Sequence, residues 1–186
     1  MDKEKIKELI KRLLEAIGEN PERRELKGTP ERVAQMYEDI FSGKDKDPEE
    51  ILQSTHDLEH DEMVLIKDVP FYSMCEHHLL PFFGRCHIAY IPENNKIAGI
   101  SKLAEIVDAM SKRLQVQEKL TTEIANSIMK YLEPKGVGVV IEARHLCMEM
   151  RGTKQPETKI VTSAVRGIFR KDIKTREEFL QLLKDK

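Results

Sequence analysis

The sequence predicts an α+β protein with a mainly antiparallel sheet, preceded by an N-terminal helical segment. Three observations support this class. Apolar residues recur at steps of three and four within residues 1–62, as they do in amphipathic helices. Residues 63–69 and 84–91 are rich in β-forming side chains, and further strand-like runs follow within 137–169. Because helices and strands come in separate runs rather than in strict alternation, an antiparallel sheet is favoured over a parallel one.

The N-terminal helical segment, residues 1–62, contains three predicted helix starts. The first helix carries apolar side chains up to a stop signal at Gly18. Thr29 is the expected cap of the second helix, because the proline that follows it fits a first helical turn. Asp47 precedes Pro-Glu-Glu and predicts a third capped start. The polar residues 54–62 predict a loop that ends this segment.

Residues 63–186 form the second predicted domain, which carries the sheet and the chemistry. Its elements are recognised by strand-like or helical apolar patterns that end at turn residues. In chain order they are strands at 63–69 and 84–91, a helix capped by Ser101, a helix at about 116–132, strands at 137–143, 145–151 and 159–169, and a last helix capped by Thr175.

The composition excludes several classes of protein. A formal net charge of −2 over 186 residues argues against a dedicated nucleic-acid binder. No apolar run approaches the roughly 18 residues needed to span a bilayer, and the charged N-terminus does not resemble a secretory signal. Three cysteines are an odd number and too few for a disulfide framework. We therefore expect a cytoplasmic protein whose cysteines serve a metal or a catalytic step.

The most informative run of the sequence contains Cys75 and His78. A spacing of three residues in a turn or short helix places both side chains on one side, where they can share a metal ion. A Cys-x-x-His pair alone is a weak signal. Cys86 and His87 compete as ligands, but adjacent residues of a strand face opposite sides, and so Cys86 is interpreted as a core residue.

The second cluster is His145-Leu146-Cys147. If residues 145–151 form a strand, His145 and Cys147 point the same way and Arg151 continues that face. Taken alone, Cys147 is more typical of a small buried apolar residue than of a metal ligand. Together the clusters offer two thiols and one imidazole, and three protein ligands with one open position are typical of a catalytic zinc site.

A zinc ion in such a site lowers the pKa of its bound water toward about 7. His77 and His145 then remain as acid or base candidates beside that water, because imidazole titrates near neutral pH.

Six segments of the chain resemble the signature sequences of GTP cyclohydrolase I. The similarity extends from about residue 25 to the end, whereas the first helix matches only in kind. The segments are CEHHLLPF at 75–82, GISKL at 99–103, RLQVQEKLT at 113–121, HLCMEMRG at 145–152, TPERVA at 29–34 and VTSA at 161–164.

The resemblance implies a specific reaction and assembly. Members of this family hydrolyse GTP to 7,8-dihydroneopterin triphosphate and formate, the first step toward tetrahydrofolate and other pterins. Their tunnelling fold has an antiparallel sheet with helices on one side, and sheets from several subunits join into the barrel of a toroidal homodecamer. The implied Zn²⁺ ligands are Cys75, His78 and Cys147, and the implied catalytic residues are His77 and His145.

The resemblance also implies a substrate-binding set. Glu118 matches the carboxylate that binds guanine, since two acceptor oxygens suit the two N–H donors of its Watson–Crick edge. Ser101 falls at a helix N-terminus, where anions are favoured. The full set is Arg32, Ser101, Lys102, Gln117, Glu118 and Arg151.

Two positions depart from the family pattern near the phosphates. Glu105 stands where many members have Arg, and Gln35 stands where some have Lys. Replacing Arg by Glu reverses a charge beside an anion, which weakens the expected hold on the triphosphate. Our hypothesis is that Arg113 or Arg166 compensates, from this subunit or a neighbouring one.

Two alternatives to a GTP cyclohydrolase I remain open at this point. One is a non-catalytic assembly or binding protein stabilised by zinc, which would need neither His77, His145 nor Glu118. The other is a related tunnelling-fold enzyme acting on another purine or pterin, which Glu105 and Gln35 motivate. Comparing the turnover of GTP, GDP and guanosine separates the latter from the family reaction.

Overall fold

Helix-forming patterns account for the first of two units into which the chain divides. A computed structural model describes residues 1–53, 55–57 and 59–184. The first unit, Met1–Ser42, contains helix α1 (Lys3–Ala16) and helix α2 (Thr29–Ile40). The side chain of Asp2 caps α1 by accepting a hydrogen bond from the Lys5 amide, and Gly18 follows that helix with a φ of +87°.

The second unit, Gly43–Lys186, contains the sheet and the remaining helices. A short 3-10 turn, Ser42–Asp45, lies at the boundary between the units. The other elements are α3 (Pro48–Leu52), β1 (Thr55–Asp57), β2 (Val64–Cys75), β3 (Pro81–Ile91), β4 (Lys96–Ala98), α4 (Ile100–Ser111), β5 (Leu114–Gln115), α5 (Gln117–Tyr131), β6 (Gly136–His145), α6 (Leu146–Glu149), β7 (Ile160–Gly167), α7 (Ile168–Lys171) and α8 (Ile173–Lys184).

The main sheet has the strand order β5-β2-β3-β6-β7. The pairs β2–β3, β3–β6 and β6–β7 are antiparallel, and only the two-residue β5 runs parallel to its neighbour β2. Strands β1 and β4 form a separate antiparallel pair. The predicted α+β class with a mainly antiparallel sheet is therefore confirmed.

The core lies between one face of the sheet and helices α4 and α5. Alternate residues of each long strand face these helices, as the two-residue period of a strand requires. The fully buried members include Phe82, Cys86, Ile88, Tyr90, Val139 and Ile141 from the sheet and Ile106, Leu120, Ile124 and Ile128 from the helices.

The second face of the sheet is partly covered as well, which corrects the expectation of helices on one side only. Phe169 of α7 and Phe179 of α8 are buried against Ala89 of β3. Val140 and Val165 pack against the same cluster. Apolar side chains on both faces of these strands need cover, and the C-terminal helices supply it.

Several predicted boundaries differ from the structure. Strands β2 and β3 extend farther toward each other than predicted, and Thr55–Asp57 forms a strand inside the predicted loop. Ser54 and Leu58 of that loop lie outside the described residues. The predicted domain boundary at Met63 rests on a change in sequence character, whereas Leu52 already belongs to the core of the second unit.

Three predicted helix caps are also displaced by one to three residues. Helix α2 begins at Thr29, and Gly28 occupies its cap position. Helix α4 begins at Ile100 after Gly99, which makes Ser101 its second residue. At α8 the carboxylate of Asp172, not Thr175, provides the cap by accepting a hydrogen bond from the Thr175 amide at 2.7 Å.

The strand predicted at residues 145–151 is wrong. Strand β6 ends at His145, and the chain turns immediately into α6. Among the described residues, no helix has both the length and the apolar character needed to span a bilayer.

Candidate metal centre and active site

The turn between β2 and β3 places His78 beside Cys75. The Cys75 amide donates to the Leu80 carbonyl, and the Cys75 carbonyl accepts from the Leu79 amide, both at 2.9 Å. Leu79 adopts a φ of +51°, which reverses the chain within this short turn. As a result, Cys75 Sγ and His78 Nδ1 lie 3.7 Å apart, as the three-residue spacing predicted.

Cys147 reaches the same place from the far side of β3. Because β6 pairs with β3, the helix α6 that follows β6 lies next to the β2–β3 turn. The ligand atoms of Cys75, His78 and Cys147 all lie within 4.8 Å of one another. The predicted ligand set is therefore brought together, but by a helical turn rather than by a strand face.

The chemistry of this donor set suits a metal cation. Burial raises the pKa of the Cys147 thiol, and the adjacent Cys75 raises it further, whereas the charge of Arg151 opposes the rise. The penalty on ionising the Cys147 thiol is removed when a dication binds it as a thiolate. Two sulfurs and one imidazole form the kind of set that holds a catalytic zinc with one open position.

His145 is held at the edge of this centre by contacts on its face and at one nitrogen. Its ring stacks on Phe82, its cross-strand partner, with a centroid separation of 4.7 Å and an interplanar angle of 5°. Its Nε2 lies 2.7 Å from Oε1 of Gln117. Burial lowers the pKa of His145, while the carboxylates of Glu118 and Glu149 act in the opposite direction.

His77 differs from His145 in being exposed. It lies in the β2–β3 turn between Glu76 and His78, and its Nε2 is 3.8 Å from a Glu76 carboxylate oxygen. Its ring centroid lies 6.2 Å from that of His78. The structure thus places His77 beside a metal-ligand candidate, with its side chain accessible to solvent.

Gln117 and Glu118 are the first two residues of helix α5, and one is buried while the other is exposed. Glu118 is exposed and close enough to His145 to affect its pKa. Gln117 is only 1% exposed, and its amide is bonded within the protein. A direct bond from Gln117 to substrate, as the resemblance implied, is therefore not supported by its surroundings.

The predicted phosphate-binding residues lie on three separate elements. Lys102 follows Ser101 in the first turn of α4, and its Nζ lies 2.8 Å from the Glu105 carboxylate. Both Lys102 and Glu105 line a cavity of about 260 Å³. Arg151 is exposed just after α6. Arg32 lies in the first unit, where it donates to Thr29 Oγ1 at 3.4 Å.

The two arginines expected to compensate for Glu105 have other partners. Arg113 donates to three backbone carbonyls, those of Gly43, Ala109 and Lys46, at 2.9 to 3.2 Å. Arg166 donates to Asn126 Oδ1 at 3.0 Å. The contacts of Arg113 indicate a structural role in this subunit.

Sequence reasoning missed two groups that contact His145 directly or through Gln117. Phe82 stacks on the imidazole, and Thr162 bonds the amide of Gln117. Both residues occur in the segments that resemble the family, which was the available signal. No spacing rule connects them to His145, because strand pairing and the α5–β7 contact bring them together.

The fold and the site together define an α+β protein with a candidate metal centre of two thiols and one imidazole, flanked by a positioned histidine. Residues 6–184 match the GTP cyclohydrolase I family. A protein of Pelotomaculum thermopropionicum is 59% identical over 183 residues, covering 98% of this chain and 97% of the relative. The chain belongs to the GTP cyclohydrolase I family of enzymes.

Other relatives agree over the same length. A protein of Carboxydothermus hydrogenoformans is 56% identical and covers 98% of this chain and 95% of its own. One of Caldanaerobacter subterraneus is also 56% identical and covers 100% of this chain and 99% of its own. All three relatives are named GTP cyclohydrolase 1.

Proposed function

We propose that this enzyme hydrolyses GTP to 7,8-dihydroneopterin triphosphate and formate, with Zn²⁺ at the Cys75–His78–Cys147 centre. The observation that supports this most directly is the convergence of the three ligand atoms within 4.8 Å, beside His145, in a chain of this family. The reaction consumes one water overall and would be the first step of tetrahydrofolate and pterin biosynthesis.

The proposed chemistry begins with attack of water at guanine C8. When bound, Zn²⁺ supplies Lewis-acid activation of that water. His145 gives a proton to the departing ring nitrogen, and His77 handles a second proton transfer. Once both C8–N bonds are broken, C8 leaves as formate. The ribose then rearranges by an Amadori-type step, and the ring recloses with loss of water.

Substrate recognition is assigned to the residues that the family resemblance implied. The exposed carboxylate of Glu118 accepts both N–H donors of the guanine edge, which a neutral side chain does less strongly. Arg32, Lys102 and Arg151, together with Ser101 at the start of α4, are proposed to bind the triphosphate. Gln117 is better assigned to holding His145, with which it shares a 2.7 Å hydrogen bond.

One experiment tests the reaction and its cofactor together. Purified protein is assayed for metal content and for GTP turnover on the same sample. We expect bound zinc, release of formate and a product that becomes a fluorescent pterin after oxidation. Chelation should abolish turnover and added Zn²⁺ should restore it, because the open ligand position supplies the activated water. Metal-loaded protein that leaves GTP untouched would contradict the proposal.

The ion pair between Lys102 and Glu105 favours a second candidate, a related enzyme with altered phosphate recognition. Glu105 holds Lys102 at 2.8 Å and so competes with a phosphate for that cation. We expect Glu105→Gln to lower the KM for GTP by about two- to fivefold, the range of an exposed ion pair, with the KM for guanosine unchanged.

The matched control is Asp108→Asn, which removes one negative charge from the same helix, where Asp108 pairs with Lys112. It should leave both KM values unchanged. Equal changes in the KM for GTP and guanosine on Glu105→Gln would show that Lys102 does not bind the phosphates. A wild-type preference for GDP or guanosine over GTP would favour the second candidate.

We also propose the family assembly, a toroidal homodecamer in which sheets of neighbouring subunits join into a barrel. Two features support it. Strand β7 lies at an edge of the main sheet, and at the other edge only two residues of β5 pair with β2. Unpaired edges of this kind are usually covered.

We further propose a cytoplasmic location and a two-part chain. The free cysteines fit a reducing cytoplasm. Residues 63–186 would form the catalytic domain.

A further inference from the structure

The orientation of the Gln117 side chain is fixed by its hydrogen-bond partners. Its amide nitrogen lies 3.1 Å from the Ile141 carbonyl and 3.0 Å from the Ile160 carbonyl. A carbonyl oxygen can only accept, and so the atom that faces both carbonyls must be the NH₂ group. The amide oxygen Oε1 therefore faces His145 Nε2 at 2.7 Å.

Two threonine hydroxyls connect this amide back to its own backbone. Thr121 Oγ1 lies 2.7 Å from the Gln117 carbonyl and 2.7 Å from Thr162 Oγ1. Because the carbonyl only accepts, the single hydroxyl hydrogen of Thr121 goes to it, and Thr162 must donate to Thr121. The two hydrogens of the Gln117 NH₂ suit the two backbone carbonyls, and Thr162 Oγ1, 3.1 Å from the same nitrogen, shares one of them.

These bonds form a closed ring with one consistent direction. It runs from the Gln117 NH₂ to Thr162, from Thr162 to Thr121, and from Thr121 to the Gln117 backbone carbonyl. Gln117 and Thr121 are each 1% exposed, which keeps water from competing for these groups. Reversing the amide would place its oxygen against two carbonyls and leave NH₂ against His145.

The orientation of the Gln117 amide determines which nitrogen of neutral His145 carries the proton. Since Oε1 only accepts, the hydrogen must lie on Nε2. The stack on Phe82 fixes the plane of the ring. Nδ1 is then the unprotonated nitrogen, and among the described residues it has no hydrogen-bond partner.

We propose that Gln117, with its amide oriented by the carbonyls of Ile141 and Ile160, is a positioning residue that holds neutral His145 in its Nε2–H form. Nδ1 is thereby the nitrogen that exchanges a proton with the substrate. This assignment of a catalytic purpose rests on the proposed function, whereas the tautomer itself does not. If these bonds served only to hold α5 against β7, they would contribute to the stability of the fold but would not need to fix the tautomer.

The test combines NMR of the zinc-loaded, ¹⁵N-histidine-labelled protein with kinetics. At a pH where His145 is neutral, we expect the wild type to show a protonated Nε2 and a bare Nδ1. Gln117→Met removes the acceptor oxygen and should make the two ring nitrogens similar by mixing tautomers. It should also lower kcat for GTP by about tenfold, the effect of about one lost hydrogen bond, with KM unchanged. Thr162→Val should keep both readouts close to wild type, because the Ile141 and Ile160 carbonyls still orient the amide.

Gln115→Met is the matched control, because Gln115 is also 1% exposed but its amide bonds Met110 and Glu123 rather than His145. It should leave the tautomer and kcat unchanged. A protonated Nδ1 in the wild type, or an unchanged tautomer in Gln117→Met, would overturn the inference. If Gln117→Met does not fold, the wild-type spectrum still decides. The expected tautomer in a protein inactive on GTP would refute the proposed function alone.

Discussion

Replacing Cys147 by alanine is expected to abolish stoichiometric zinc binding and to reduce GTP turnover by at least about a thousandfold. The variant keeps only Cys75 and His78, whose Sγ and Nδ1 lie 3.7 Å apart, and two ligands do not hold a zinc ion against dilution. The measurements are zinc per subunit, by elemental analysis after desalting, and formate released from GTP.

Cys86→Ala is the matched control for the loss of a thiol. Cys86 is fully buried in the core, and burial raises its pKa far above that of an ordinary thiol. The control should keep its zinc and its activity while losing about 1 kcal/mol of unfolding free energy to the small cavity. A Cys147→Ala protein that retains one zinc per subunit would remove Cys147 from the ligand set.

The second large effect is expected for His145→Asn. The variant should bind zinc normally but lower kcat for GTP by about 10²- to 10⁴-fold, the usual contribution of a general acid or base. His145 stacks on Phe82 and bonds Gln117. An Asn amide neither gains nor loses a proton near neutral pH and so cannot take over its proton transfer. Steady-state kinetics together with zinc content separate this effect from loss of the metal.

His87→Asn tests whether any half-buried histidine of the sheet would give the same result. The pKa of His87, like that of His145, is lowered by burial. Its Nδ1 accepts a hydrogen bond from the Asp68 amide at 3.2 Å, which an Asn oxygen can replace. We expect activity close to wild type. Equal losses in the two variants would mean that His145 supports the fold rather than the reaction.

The sequence predicted the helices around the core well because their apolar faces repeat with the period of a helix. Leu103 and Ile106 of α4, and Leu120 and Ile124 of α5, are all almost fully buried. The local sequence pattern predicted the ends of the helices less well. At α8 the cap is Asp172, which precedes the apparent capping box at Thr175. Side chains at such positions compete for the same amides, and sequence alone does not rank them.

The three candidate metal ligands come together as predicted, but one of them for a different physical reason. Cys75 and His78 meet through a local turn, which their spacing encodes. Cys147 was assigned to a strand face shared with His145, whereas it lies in α6. What brings it to Cys75 is the pairing of β6 with β3, a long-range contact that no spacing rule contains.

The hydrogen bonds that connect Gln117 to His145 could not be predicted from the sequence for a similar reason. Gln117 opens α5, and Thr162 lies on β7. Their contact depends on how a helix lies across a sheet. Sequence similarity marked both segments as important and implied that Gln117 binds substrate. The structure instead directs its amide toward backbone carbonyls and an imidazole.

The separation of the metal ligands along the chain has a consequence for how the enzyme matures. Cys75 and His78 follow β2, but Cys147 joins them only after β6 has paired with β3 and α6 has formed. A chain still emerging from the ribosome can present the first two donors and not the third. With zinc at this centre as proposed, high-affinity loading has to follow completion of the sheet, and the bound ion then stabilises the folded chain over its partly folded forms.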